Sequence, residues 1–211
     1  MGLILSIQTG RIKTYQTDGH SWRSATFKSP VDGPIRLGRQ GFAGDQHADP
    51  RYHGGPDKAV LVYSADHHAA WHAEGFPEPV PPGAFGENIL VQGMSESTVC
   101  IGDFYSLGDA AVQVSQPREP CGKQARRWRI PDLVARMTRS GRTGWYLRVI
   151  QEGTVAAGDR FTLRERPHPE WPITKAQQVM HFMNDDAAAA AELAGVSALS
   201  EDWKRALIDR F

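Results

Sequence analysis

From residue 1 to about 165 the apolar positions come in short runs rich in β-branched residues, separated by turn residues: LILSIQ, KAVLVYS, TVCIG, FYSLG, AAVQVSQ, WYLRVIQ and FTLRE. Runs of this length and composition predict strands, and so many in one stretch predict a barrel or a sandwich. Two of the strands follow a Gly-Asp pair, in GDFYSL from Gly102 and GDRFTL from Gly158, where a turn launches the next strand. Helical spacing interrupts the strands twice. Ser64 can cap ADHHAAWHAE, which Gly75 ends, and Pro131 can open DLVARMTRS, which Gly141 ends. Around the second, Ile130, Val134 and Met137 recur at core-facing spacing.

The pattern changes after RERPHPEWP, a proline-rich connector at 164–172. Thr174 and Gln177 stand as a capping box ahead of Ala176, Val179, Met180 and Met183. An alanine-rich helix then ends at Gly195, and Ser200 can cap a last helix carrying Trp203, Leu207 and Phe211. The chain therefore divides into a mainly β unit with inserted helices over 1–165 and a three-helix extension over 173–211. Isolated helices below about 12 to 15 residues are marginal in water, so the extension must pack on the β unit or on a second subunit, as in a homodimer.

Composition narrows the function classes. At 211 residues there is room for one well-buried domain and an appendage. Lys plus Arg number 24 against 24 Asp plus Glu, so the molecule as a whole does not attract nucleic acid or a membrane surface, and any anion recognition must be local. No run approaches the roughly 20 apolar residues of a membrane span, and the first residues carry no basic leader, which together predict a soluble cytoplasmic protein. Cys100 and Cys121 are the two cysteines, too few for a disulfide framework or a thiol-built zinc site.

The cysteines differ in setting. Cys100, between Val99 and Ile101 in STVCIGD, reads as a small core residue in mid-strand. Cys121 lies in VSQPREPCGKQARRWR, with Arg118, Lys123, Arg126, Arg127 and Arg129 within eight residues of it. Cations favour the thiolate, the form that attacks electrophiles or binds a soft metal. A nucleophile would need a base, and His47, His53, His67, His68 and His72 are distant in sequence. A single thiolate cannot secure zinc, but it can complete the coordination of a metal carried inside an organic cofactor whose phosphate the cations hold.

Other motifs fit that second role. YHGGPDKAV places Gly54 and Gly55 where backbone can approach a ligand, with His53 at the mouth. AFGENILVQG sets Glu87 and Asn88 before a strand, where a carboxylate and an amide can hydrogen-bond a heterocycle. GRTGWYLRVI has Arg142 in a glycine loop and Arg148 in an otherwise apolar strand, where it needs an anionic partner or a pocket opening. His68 and His72 stand at i, i+4 but lack the Glu of HExxH, while Asp45, His47, Asp49 and His53 lack regular metal-ligand spacing. KQARRWR could stack a base on Trp128, but the balanced charge argues against nucleic acid.

Taken together, GDQHADPRYHGGPDKAV, FGENILVQGMSESTVCIGD, VSQPREPCGK and GRTGWYLRVIQEG resemble the MOSC domain, a module similar to the C-terminal part of molybdenum cofactor sulfurases. Their order and spacing look most like the YiiM-type subgroup, which ends in a small three-helix extension, and the resemblance spans nearly the whole chain. It implies a β-barrel that binds the molybdenum cofactor, with Cys121 as the protein ligand to molybdenum. Gln116, Arg118, Lys123, Arg142, Arg148, Gly54 and Gly55 are then the residues expected to hold the cofactor. The resemblance extends to the amidoxime-reducing component, a reductase of N-hydroxylated compounds, which implies hydroxylaminopurines, amidoximes and related N-hydroxy bases as substrates. Glu87, Asn88 or His53 would orient the substrate or supply a proton. With no flavin or iron-sulfur signature in the chain, the electrons are expected from a separate flavoprotein reductase. Two rival readings remain: Cys121 as a persulfide carrier in sulfur transfer, and a module that stores or delivers the cofactor.

Overall fold

The structure, a computed structural model, describes residues 1–17, 19–50 and 52–211. Along the chain run β1 (Gly2–Thr9), β2 (Lys13–Thr17), β3 (His20–Ser24), β4 (Ser29–Pro30), β5 (Ile35–Gly38), β6 (Gly41–Phe42) and β7 (Val60–Ser64). There follow β8 (Ile89–Gln92), β9 (Phe104–Leu107), β10 (Ala110–Pro117), β11 (Trp145–Gln151), β12 (Gly153–Val155) and β13 (Arg160–Glu165). Seven of these close a barrel in the order β1-β8-β7-β11-β10-β9-β13, with β13 returning to β1 through Gly2↔Phe161 and Leu3↔Arg160. β7 and β8 pair in parallel, which requires a crossover, and residues 65–88 supply it. The strand pair β2–β3 was not foreseen from the sequence. Its faces are largely polar and exposed, and it is held by an aromatic cluster in which Tyr15 stacks on Phe27 at 4.1 Å and tilts against Trp22 at 5.2 Å.

Residue alternation decides which side chains fill the barrel. Val60, Val62, Ile89 and Val91 join Ile4, Ile7, Val112, Val114, Leu147 and Phe161 inside it. Tyr63 and Leu90, one step out of phase, point instead into a second cluster with Trp71, Phe76, Phe85, Leu133 and Met137. β7 is buried on both faces, which is why KAVLVYS reads as a continuous apolar run rather than an alternating one.

Both Gly-Asp turns form as expected. Gly102 and Gly158 take φ of 83° and 94°, and the aspartate after each closes its turn by accepting from a backbone N–H three residues back: Cys100 N to Asp103 Oδ2 at 3.0 Å and Ala156 N to Asp159 Oδ2 at 2.8 Å. That closure overturns one predicted strand. TVCIG is a turn in which Cys100 makes a single bridge to Pro172, although the cysteine is buried as expected.

Six helices complete the described residues: α1 (His68–Ala73), α2 (Gly122–Trp128), α3 (Leu133–Ser140), α4 (Ile173–His181), α5 (Ala187–Ala194) and α6 (Glu201–Ile208). Ser64 caps the short 3-10 turn at 65–67 that leads into α1, accepting from Asp66 N at 3.3 Å. On α3 the buried stripe is Leu133 and Met137, with Ile130 and Val134 half-buried beside it. The capping box on α4 does not form. Its first N–H groups are satisfied by the barrel, Ile173 N by Val99 O at 2.9 Å and Thr174 N by Glu96 O at 3.0 Å, so Gln177 is free to donate to Thr143 Oγ1.

The extension packs on the barrel. One continuous core runs from the barrel interior to Trp171, Ile173, Val179, Leu193, Trp203 and Leu207, while Met183 and Phe211 are exposed. Ser200 caps α6 by accepting from Trp203 N at 3.3 Å, and its own N–H donates to Ser115 O of β10 at 3.0 Å. No helix among the described residues is long and apolar enough to cross a membrane.

Candidate functional site

Past the end of β10 the chain runs through Arg118 to Cys121, which sits in extended conformation immediately before α2. This helix was missed in the sequence, where GKQARRW drew notice as a charge cluster; Lys, Gln, Ala and Arg are also good helix formers. Helix α2 forms one wall of a cleft. The others are the segment after β3 (Ser24, Ala25, Thr26, Lys28), the loop with Gln46, His47, His53 and Gly54, and Lys58, Phe85, Asn88 and Tyr146.

The cations of the segment divide between two tasks. Arg126 lies over Trp22 at 5.2 Å and Arg127 over Phe27 at 4.8 Å, and Arg127 also donates to Thr26 O at 2.8 Å and Gly83 O at 2.5 Å. Those two arginines clamp α2 to its neighbours. Arg118 and Lys123 line the cleft. Arg118 is 4% exposed, donates to Phe85 O at 3.1 Å and touches Met137 Sδ at 3.9 Å, and neither it nor Lys123 pairs with a carboxylate among the described residues. A buried guanidinium without a carboxylate is costly unless an anion completes it.

His53 registers the same field. Burial, followed by the charges of Lys123, Arg118, His47 and Lys58, lowers its pKa to about 4, so its ring is neutral at neutral pH. Gly54, at φ 79°, lets the loop close over His47, since a Cβ there would fall 2.6 Å from His47 Cδ2. Gly55 lies beyond the cleft lining and leads into the 3-10 turn Pro56–Lys58.

Asn88 lines the cleft, yet its amide is fully engaged. Oδ1 accepts from Leu61 N at 3.1 Å, while Nδ2 donates to Gln8 O at 3.2 Å and Asp45 Oδ2 at 2.8 Å. Asp45 in turn accepts from Gly10 N at 2.7 Å and pairs with Lys28 at 2.5 Å, so it is committed to a buried network. Lys28, not singled out in the sequence, lines the cleft from below with its pKa lowered by burial against the opposing pull of Asp45. Glu87 does not reach the cleft. Fully buried, it accepts from Gly83 N at 2.5 Å and Phe85 N at 2.9 Å and so shapes the loop, and burial raises its pKa.

Three expected cofactor-holding residues also lie elsewhere. Arg148 has the anionic partner its strand position called for, Asp57 at 2.8 Å, and donates to Gln113 at 3.1 Å. Arg142 lies 3.9 Å over Trp71 and pairs with Glu74, outside the cleft lining. Gln116 is buried outside the cleft lining, donating to Pro117 O at 3.1 Å. Of the helix histidines, His72 pairs with Glu78 at 2.9 Å and His67 with Glu96 at 2.7 Å, while His68 Nε2 is buried without a partner among the described residues.

Tyr146 and Gln124 complete the lining, and neither was foreseen. Burial raises the Tyr146 pKa to about 12, which keeps its phenol protonated. Gln124 Nε2 donates to Thr26 Oγ1 at 2.7 Å and its buried Oε1 has no partner among the described residues. In the sequence, Tyr146 is indistinguishable from its neighbours in WYLRVIQ; strand phase alone turns it to the cleft. The assembled cleft brings together one thiol, two cations without a carboxylate partner among the described residues in Arg118 and Lys123, a buried unsatisfied amide oxygen and a protonated phenol.

Residues 49–162 match the MOSC domain and residues 171–210 the YiiM-like, 3-alpha helix domain. A protein named Reductase from Gibberella moniliformis (strain M3125 / FGSC 7600) is 41% identical over 194 residues, covering 90% of this chain and 34% of that protein, so the chain spans about a third of its relative. YflK from Bacillus subtilis (strain 168) is 37% identical over 207 residues, 98% of this chain and 93% of its own. The crystal structure of YiiM from Geobacillus stearothermophilus superposes with a TM-score of 0.84 at 35% identity, covering 100% of this chain and 99% of that one. The chain therefore belongs to the MOSC domain family, in the form that carries a YiiM-like three-helix domain behind its barrel.

Proposed function

We propose that the chain binds the molybdenum cofactor in this cleft and reduces N-hydroxylated compounds of the hydroxylaminopurine or amidoxime type, with electrons from a separate flavoprotein reductase. The observation that carries the reading is the convergence of Cys121 with Arg118, a buried guanidinium lacking a carboxylate, and Lys123 on one cleft. A relative named Reductase supports the reaction class.

The donor set fits the group. Cys121 would supply the soft thiolate that ligates molybdenum, Arg118 and Lys123 would hold the phosphate, and the unpartnered Gln124 Oε1 would accept from a pterin N–H. When bound, the cofactor would supply the two electrons of the reduction, chemistry that no side chain here can perform. Converting R–NH–OH to R–NH2 and water consumes two electrons and two protons. Among the cleft side chains, Tyr146 and the neutral His53 would each donate a hydrogen bond to the departing oxygen. Asn88 and Glu87 act behind them, fixing Asp45 and the loop at 83–86.

The test is expression in a host that makes the cofactor, followed by assay of molybdenum and pterin per chain. Wild type should carry both, and Cys121→Ala should lose the molybdenum. A metal-free wild type bearing cyanide-labile sulfur on Cys121 would replace this reading with sulfur transfer. Loaded protein given NAD(P)H alone should be inactive, and should turn over once a flavoprotein or chemical reductant is added.

A further inference from the structure

Lys58 lines the cleft, yet its ammonium is held by the C-terminal helices. Nζ lies 2.6 Å from Asp202 Oδ2 and 3.4 Å from Tyr52 O, with the Lys58 side chain 13% exposed and that of Asp202 58% exposed. Both partners are placed by backbone hung on the same strand residue. Ser115 O of β10 accepts from Ser200 N at the start of α6, and Ser115 Oγ donates to Asp57 O, next to Lys58, at 2.5 Å. The Asp57–Arg148 pair and the buried Trp203 then lock each side in place.

We propose that Asp202 sets the anion affinity of the cleft by competing for Lys58 with a phosphate bound at Arg118 and Lys123. The three-helix extension is thereby a working part of the site. The proposal rests on the anionic-cofactor reading above. Lysine suits such competition, being a compact charge with three donors on a flexible stem. Asp202 suits it too: an ion pair with one partner in solvent is weak and can yield to a phosphate that also engages a fixed guanidinium. Arg118, buried and lacking a rival carboxylate among the described residues, has no comparable control.

The test uses inorganic phosphate as the probe, titrated into the full chain by calorimetry. Asp202→Asn should tighten phosphate binding by roughly two- to fivefold. Glu201→Gln, which removes the same charge one residue away but from a carboxylate paired with Lys204 at 2.8 Å, should leave it unchanged. With Lys58→Met in place, Asp202→Asn should have no further effect. Equal tightening in Glu201→Gln, weaker or unchanged binding in Asp202→Asn, or an effect that persists without Lys58 would each overturn the proposal. A wild type that binds no phosphate would sink the anionic-cleft reading together with it, whereas phosphate binding that Asp202→Asn leaves unaltered removes this inference alone.

Discussion

Two arginines of this chain, Arg118 and Arg142, were both expected to hold a cofactor, both are largely buried, and their surroundings differ in one respect. Arg142, on the face where α1 meets α3, has a carboxylate in Glu74 and an aromatic face in Trp71. Arg118, in the cleft, has a carbonyl oxygen and a thioether. The first guanidinium has its counter-charge and does structural work, although its Nη1 is buried without a hydrogen-bond partner among the described residues. The second has no counter-charge among the described residues, and it lines the same cleft as the Cys121 thiol. Burial of a cation is therefore a poor guide to function until its counter-charge has been accounted for.

That contrast can be broken by exchange, and the largest effect should come from Arg118→Met. Its loss should weaken phosphate binding by about tenfold or more, the worth of charge-assisted hydrogen bonds, while the unfolding temperature holds or rises because no carboxylate is orphaned. A fall in stability with phosphate binding intact would reverse the roles assigned to the two arginines. Arg142→Met should do the opposite, costing about 1–2 kcal/mol of stability through the lost stack on Trp71 and the stranded Glu74 and leaving phosphate affinity unaltered in the same titration.

A finer test uses His53. Its pKa is depressed, so between about 4 and its ordinary 6.5 the unfolded chain binds the proton that the folded chain refuses. This group's contribution is fully present above pH 6.5 and is lost as pH falls toward 4. His53→Gln should flatten that part of the stability curve. Saturating sulfate, by screening Arg118 and Lys123, should raise the His53 titration seen by NMR, and an unmoved titration would place the anion elsewhere. Smallest of all, Arg126→Ala should cost about 0.5–1 kcal/mol for the stack on Trp22 with no change in anion binding, which separates the clamping arginines from the binding ones.

How much of this was legible in the chain depended on the range of the forces involved. The barrel strands follow from short β-branched runs bounded by turn residues, which need only a few residues to be read; KAVLVYS and WYLRVIQ became β7 and β11. The Gly-Asp turns, the Ser64 and Ser200 caps and the change from strands to helices across the proline-rich connector were equally local. So was the pairing of one cysteine with a cluster of cations. TVCIG was lost to a local turn closed by Asp103, and where a distant segment satisfied a local group prediction failed: Val99 and Glu96 made the capping box on α4 unnecessary.

The sequence by itself determined a mainly β barrel with a helical tail and a thiol among cations, since hydrophobic phase, turn chemistry and composition act within a few residues. Tertiary structure alone decided which cations remained without a counter-charge. Glu74 came to Arg142, Asp57 to Arg148 and Asp202 to Lys58 from 68, 91 and 144 residues away. No carboxylate among the described residues came to Arg118, and ion pairing, being a matter of distance through space, leaves no trace in spacing along the chain.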